Sequence, residues 1–375
     1  KELLRDLLQL REKPVMERRR NSFAQADIGS RIRTFAEEWA NELDFAMDAL
    51  RQVITTLSGL PGRKYLVHVS SGLPMVPGRD LMEAYHMVFQ DVPVLPMMAR
   101  YNRRPSWEAI ASAANAQGVV FYTIDAHGLG GTAVSAEYAQ PVDPMIVSSN
   151  RINLQSTLQM LAERTGGRAI LDANDITPGL QRLRDDLFVY YSIGYQIGAS
   201  GADVVHHVEV RLPRHPEYTV RYRRSFVEKS LETRIQDRVV SALTLGAVED
   251  PLGLGVSAGT PVPASEGRWV IPLEITVPLA SIALLPDGDA YRGSIVLFVA
   301  ARDRSGRQSD LERREHTIRV PAADYERLAG RHLTLELRLL MEPGPHKVAV
   351  AVLDRITRRV GYRVLPSVVV PEARR

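Results

Sequence analysis

Three predicted parallel strands run into short polar side chains. Ser70 and Ser71 follow the first, Asp125 and His127 the second, and Asp172, Asn174 and Asp175 the third. Open α/β sheets place ligands just beyond the carboxyl ends of their strands, so these seven residues are candidates for one rim. Gathered there, they would make a polar recognition patch or a weak cation site. The competing reading is structural, because short polar residues at such positions cap turns and helix starts. Ser70-Ser71-Gly72 also occupies a strand-to-loop corner, where a nucleophile elbow would stand. The Gly-x-Ser-x-Gly pattern is absent, however, and no later histidine has a clear claim to be the base. No catalytic residue is assigned.

Other chemistries find less support. His206 and His207 are adjacent in a predicted strand and face opposite sides, so they do not share an ion. A two-His site with His215 beyond the turn is a remote alternative. His68 lies in an apolar strand and reads as a satisfied core residue, while His332 and His346 read as surface. There is no Gly-x-Gly-x-x-Gly or P-loop, and Leu129-Gly130-Gly131 is only a turn. With no cysteine in the chain, disulfides, Cys-ligated zinc and thiol catalysis are excluded. No metal or cofactor is assigned.

The elements that must position the rim follow from pattern. Leu3, Leu4, Leu7, Leu8 and Leu10 have helical spacing, ended by Pro14. A longer amphipathic run from Ile32 to Leu57 stops at Ser58-Gly59-Leu60-Pro61-Gly62. Lys64–Ser70 and Gly118–Ile124 are short apolar runs suited to buried parallel strands, and Arg168–Leu171 is a third. Helices are expected over Trp107–Ala116 and Leu154–Arg164, and from Thr177-Pro178 to about Asp186; residues 73–104 read as an irregular insertion. This alternation predicts βαβ units with right-handed crossovers. Phe188–Tyr195, Val204–Leu212 and Tyr218–Phe226 then read as an antiparallel extension, and residues 228–245 as a helix. The Gly/Pro/Ser-rich stretch from Glu249 to Glu266 reads as a linker. Beyond it, strands at 268–277, 291–302, 313–320, 332–340, 346–353 and 360–370 predict a Greek-key β-sandwich.

Composition narrows the partners. The 375 residues are 45% hydrophobic and 24% charged, the balance of a folded rather than a disordered chain. A net charge of +3 argues only weakly for nucleic acid, and Arg18-Arg19-Arg20 and Arg103-Arg104 read as solvated faces. The tyrosines at 190, 191, 195, 218 and 222 alternate with apolar residues, as in cross-strand packing rather than base stacking. No nucleic-acid partner is expected. No apolar stretch approaches the roughly 18 residues that span a bilayer. The chain opens on Lys1, so upstream sequence is expected to have been removed or left out.

Five blocks carry a resemblance: Leu60-Pro61-Gly62-Arg63-Lys64, Val69-Ser70-Ser71-Gly72-Leu73-Pro74, Phe121 through Leu129, Leu161 through Gly167, and Tyr190-Tyr191-Ser192-Ile193-Gly194-Tyr195. In this order and spacing the chain resembles the bacterial VWFA-related domain proteins of the acidobacterial type, over about residues 45–226 and more loosely through the sandwich. The resemblance implies a von Willebrand factor A-like, Rossmann-like sheet that binds protein ligands, often through a divalent cation at its C-terminal edge. It also implies three cation-site pieces that this sequence lacks. No Asp-x-Ser-x-Ser precedes residue 64, no suitable Thr stands before the helix of residues 43–57, and Ser71 takes the place of an Asp. Hard cations need such carboxylates. Residues 1–45 do not supply the early strands either, so the sheet is incomplete or completed by something else.

The resulting expectation is a helical segment (1–60), an A-like α/β domain with a β extension (61–248) and an immunoglobulin- or fibronectin-III-like sandwich (267–372). Its function is expected to be non-enzymatic protein binding or scaffolding in an extracytoplasmic bacterial assembly. A metal-dependent adhesion module completed by upstream sequence and a serine hydrolase are the alternatives. The partner's identity and the oligomeric state are open.

Overall fold

The computed structural model describes residues 2–11, 22–90, 92–127, 144–194, 203–246 and 248–372. Pro14, the Arg18-Arg19-Arg20 run, Tyr195 and the expected loop from Gly128 onward lie outside these residues. An α/β region with a parallel sheet is followed by an antiparallel, strand-rich region. The chain divides into two compact units, one of Lys1–Ile54, Gly62–Ser200 and Val204–Glu228, the other of Thr55–Pro61, Gly201–Asp203 and Lys229–Arg375.

In the first unit, helix α1 (Glu2–Arg11) and the long α2 (Ser22–Ser58) precede strand β1 (Lys64–Ser70). Along α2, Ile28, Ile32, Ala36 and Ala40 recur every four residues and are buried with Leu4 and Leu7 of α1. They meet Leu81, Met82, Tyr85 and Val88 of α3 (Arg79–Val88), which is followed by α4 (Val94–Arg100). The stretch expected to be irregular therefore carries two helices. Its Met and Pro residues hide the periodicity, yet Leu81, Tyr85 and Val88 keep helical spacing. The expected N-terminal segment is likewise no separate body, since its apolar stripe is half of this core.

Helix α5 (Arg104–Ala116) leads into β2 (Val119–Asp125), α6 (Pro144–Thr165), β3 (Ala169–Ile170) and α7 (Thr177–Phe188). The sheet order is β1-β2-β3, all parallel, with Lys64 opposite Val119 and Ser70 opposite Asp125. All seven residues of β2 are buried. Val120 and Tyr122 point toward Leu183 of α7, and Thr123 Oγ1 on the opposite face donates to Leu158 O of α6 at 2.9 Å. β1 is an edge strand whose Val67 and Val69 remain 46% and 60% exposed. The expected antiparallel extension shrinks to β4 (Val204–His207) paired with β5 (Ser225–Glu228). Residues 189–194 have strand-like composition but pair with no strand among the described residues, and Tyr191 and Ile193 stand exposed.

In the second unit, the main run from Lys229 opens with α8 (Leu231–Leu245). Its strands are β6 (Gly255–Ala258), β7 (Val262–Pro263), β8 (Trp269–Pro278), β9 (Leu285–Asp287), β10 (Ala290–Asp303), β11 (Glu312–Pro321), β12 (His332–Met341), β13 (Gly344–Asp354) and β14 (Val360–Val370). One antiparallel sheet runs β11-β10-β13-β14, with β9 on β10; the other runs β12-β8-β6, with β7 on β8. Ile295, Leu297 and Val299 of β10 share a core with Ile271, Leu273 and Ile275 of β8. Val296, Phe298 and Ala300 face the other way, onto Ile235, Val239 and Leu243 of α8. Burial on both faces explains why β10 and β13 read as unbroken apolar runs, whereas β12 alternates. The helix of residues 228–245 thus belongs to this unit and not to the preceding one. The expected linker supplies two edge strands. His346, expected at the surface, is buried, with Nε2 2.8 Å from Glu342 O.

Within this second unit, which includes Thr55–Pro61, Ser241 of α8 holds the last turn of α2 and the residue just after it. Its Oγ donates to Thr56 O at 2.7 Å and accepts from Gly59 N at 2.9 Å. A Cβ on Gly59 would lie 2.5 Å from Asp237 O, which is backbone and has no room to yield. Ser241→Ala is expected to lower unfolding free energy by about 1–3 kcal/mol, the cost of a buried unpaired N–H. Gly59→Ala should cost more. Urea melts read both, and equal stability of Ser241→Ala and wild type would contradict the assignment.

Candidate functional site

Strand alternation fixes the direction of the rim's central residue. Phe121, Thr123 and Asp125 share one face of β2, so the Asp125 carboxylate points toward α6. It is 5% exposed, and both oxygens are engaged. Oδ1 accepts from the His127 backbone N–H at 2.9 Å, and Oδ2 accepts from Gln155 Nε2 of α6 at 2.8 Å. The exposed His127 ring places Nδ1 3.5 Å from Asp125 Oδ1. Gln155 Nε2 also donates to Asp172 Oδ1 at 2.5 Å, and the Arg151 guanidinium donates to the same oxygen. One amide therefore bridges the carboxylates that follow β2 and β3.

The loop after β1 joins them through the same stretch of α6. Ser70 Oγ accepts from Gly72 N–H at 3.2 Å. Gly72 has φ 97°, and a Cβ there would lie 2.7 Å from Leu154 Cβ, so glycine lets the loop lie against the helix. Next to Leu154, the side chain of the buried Asn153 accepts from Val76 N–H and donates to Val76 O, both at 2.9 Å.

The structure thus gathers Ser70, Asp125, His127 and Asp172 around residues 151–155 of α6. Ser71 is exposed beside them, and Asn174 lies in the bend between Asp172 and α7. Asp175 is elsewhere employed: its Oδ1 accepts from Thr177 N–H at 2.9 Å and starts α7. Arg151, Asn153 and Gln155 escaped the sequence reading. The i, i+4 spacing of Arg151 and Gln155 puts those two on one face of the helix, whereas Asn153 lies on another face, toward Val76. His68, expected to be satisfied, is not: its buried Nε2 has no hydrogen-bond partner among the described residues, and burial lowers its pKa. His206 Nε2 lies 3.1 Å from Glu228 and His215 Nδ1 lies 3.0 Å from Glu217, so each has its own carboxylate.

Asp172 adopts a left-handed backbone with φ 55°, a conformation that Asp tolerates better than most residues. Burial works to raise its pKa. The hydrogen bonds from Gln155 and Arg151, with the Arg151 charge, overcome it and hold the carboxyl below the ordinary carboxylate range. Among the described residues, no group of three or more His, Asp or Glu side chains is placed to hold a metal ion. Nor does a hydrogen bond join Ser70 or Ser71 to an imidazole among them.

No protein-family model matches the chain, and no curated protein is significantly similar to it. Solved structures give faint likenesses. A structural-genomics target is 8% identical, with a TM-score of 0.22, over 34% of this chain and 90% of its own. A protein of Bordetella pertussis described as ApaA is 9% identical, with a TM-score of 0.21, over 34% and 99%. A protein from Archaeoglobus fulgidus is 13% identical, with a TM-score of 0.17, over 32% and 91%. Scores this low carry no argument about fold or activity.

Replacing Gln155 by Leu removes the shared donor at similar volume. Asp125 then loses a bond in a buried setting, and a loss of about 1–3 kcal/mol is expected in denaturant melts. Asp172 loses one of the interactions that lower its pKa, so its titration midpoint should rise toward the ordinary carboxylate range. A depressed folded-state pKa stabilises above the unfolded value and loses that contribution as pH falls through the folded one. The acid side of the stability profile should therefore shift upward in pH in the variant. Carboxyl-carbon NMR reads the midpoint directly, and an unmoved Asp172 resonance would refute the bridge.

Proposed function

We propose that this chain is a non-enzymatic protein-binding or scaffolding component of an extracytoplasmic bacterial assembly. In this reading the first unit is a von Willebrand factor A-like domain, and the second is a β-sandwich of immunoglobulin or fibronectin-III type. The supporting observation is the internal satisfaction of the rim. Both oxygens of Asp125 and Oδ1 of Asp172 are committed to Gln155, Arg151 and the His127 backbone. A dication needs carboxylate oxygens free to face it, and a serine nucleophile needs a base within hydrogen-bond reach. A polar, shaped rim whose carboxylates are largely hydrogen-bonded within the chain is suited instead to recognition by complementarity, with His127 and Ser71 exposed at its edge. Among the described residues no helix is long and apolar enough to cross a membrane.

The test pairs partner recovery with two opposing assays. Co-purification from the native source should yield a protein bound at reproducible stoichiometry and lost from a Ser71→Arg/His127→Ala variant that melts like wild type. A rise of several degrees in thermal midpoint at sub-millimolar Mg²⁺ or Mn²⁺ would favour the metal-dependent adhesion alternative. Fluorophosphonate labelling that disappears in Ser70→Ala would favour the hydrolase. Neither response is expected.

A further inference from the structure

Away from the rim, nearer the C-terminal end of α6, two adjoining clefts of about 550 and 500 Å³ form one groove in the first unit. Both are lined by Gln159, Glu163 and Arg224. Arg168 and Arg221 line the first, Arg104 and Arg164 the second. Among the described residues, the groove is therefore walled by five guanidinium groups, with Glu163 as the one carboxylate in its lining. Glu163 is itself occupied by Gln159 Nε2 at 2.7 Å.

The cations are arranged in pairs. Arg104 and Arg164 share Glu108, at 3.2 and 3.3 Å. Arg168 and Arg221 share Asp186, the former at 3.5 Å. Each pair thus holds two positive charges on one negative charge. Arg224 stands where the two clefts meet and has no carboxylate partner among the described residues. Its guanidinium lies over Tyr222, 5.9 Å from the ring centroid. Counting Glu108, Glu163 and Asp186 against the five arginines leaves a surplus of two positive charges.

We infer that this groove binds an acidic peptide segment of a partner protein, with a ligand carboxylate seated on Arg224. The neighbouring pairs already hold carboxylates through single N–H···O contacts, and an unshared guanidinium can take a further carboxylate with both arms of its fork. A Glu or Asp side chain at Arg224 would extend the series and use the surplus charge. Nucleic acid fits less well, since Glu163 would face a phosphate chain and the one aromatic beside Arg224 is covered by it. The inference rests on the protein-binding reading above but not on the rim. Gln159 and Glu163 lie one and two turns along α6 from Gln155, so separate variants address the two surfaces.

The whole chain is titrated against a fluorescein-labelled octapeptide of glutamate, read by anisotropy, with an octaglutamine peptide as control. Saturable binding of the glutamate peptide alone is expected, weakening as salt rises. Arg224→Glu should lower affinity at least about tenfold, with Arg224→Lys intermediate, because a point charge keeps attraction but loses the fork. The side chain is exposed, so both variants should melt like wild type. Ser71→Arg/His127→Ala should bind the peptide normally. If that rim variant keeps its native partner while Arg224→Glu abolishes peptide binding, the rim reading fails and the groove stands. Unchanged affinity in Arg224→Glu, equal binding of octaglutamine, or stronger competition by a single-stranded oligonucleotide or inorganic phosphate would overturn the groove assignment.

Discussion

The first unit is organised by a contact that has no room for a side chain. Gly167 lies so near the central strand that a Cβ would fall 1.9 Å from Phe121 O. Beside it, Gly166 has φ 82°, and a Cβ there would sit 2.8 Å from the backbone of Tyr222. The turn between α6 and β3 is thereby pressed between β2 and the segment carrying Arg221 and Arg224. Buried polar groups complete it: Phe121 N–H donates to Thr165 Oγ1 at 2.9 Å, and Thr123 N–H donates to Arg168 O at 3.0 Å. Two glycines therefore set the spacing of helix, strand and basic wall together. The rim depends on the same placement, because α6 must lie close along β2 for Gln155 to reach Asp125.

What the sequence discloses depends on whether a segment's surroundings are written into its own residues. β2 and β10 are enclosed on both faces, and each announces this as a short unbroken apolar run. The strand limits of the second unit follow from their turns, down to Val360–Val370. Residues 189–194 mislead for the opposite reason. Tyr, Val and Ile favour an extended backbone, but a strand exists only where another strand accepts its hydrogen bonds. α8 misled differently: its apolar stripe declares a helix but not which sheet it covers. Ile235, Val239 and Leu243 find Phe298 of the following sheet, and nothing local to α8 encodes that choice.

The candidate site divides along similar lines. Asp125 and Asp172 were legible because strand ends with carboxylates are conspicuous, and alternation along β2 even gives the direction of Asp125. The partners were not, because Arg151 and Gln155 look like the polar face of an ordinary amphipathic helix. Their role appears only when the three strand ends are brought over that face. Asp175 shows the other outcome, in which a polar residue at a strand end starts the next helix and nothing more. Chemistry read from residue type alone overcounts such positions.

The ion pairs of the basic groove are better understood as placement than as stabilisation. Arg104, Arg164 and Glu108 are all substantially exposed, and pairs of that kind contribute roughly 0–1 kcal/mol each. Folding would lose little if they were absent. Their consequence is positional, since a shared carboxylate holds two long, flexible side chains near one another. Ordering costs already met in the folded chain need not be met again on binding. Arg224 lacks such an anchor among the described residues and rests on the face of Tyr222 instead. The tyrosine limits where the guanidinium sits without consuming its hydrogen-bond donors, a combination that leaves a positioned cation with its donors still to be used.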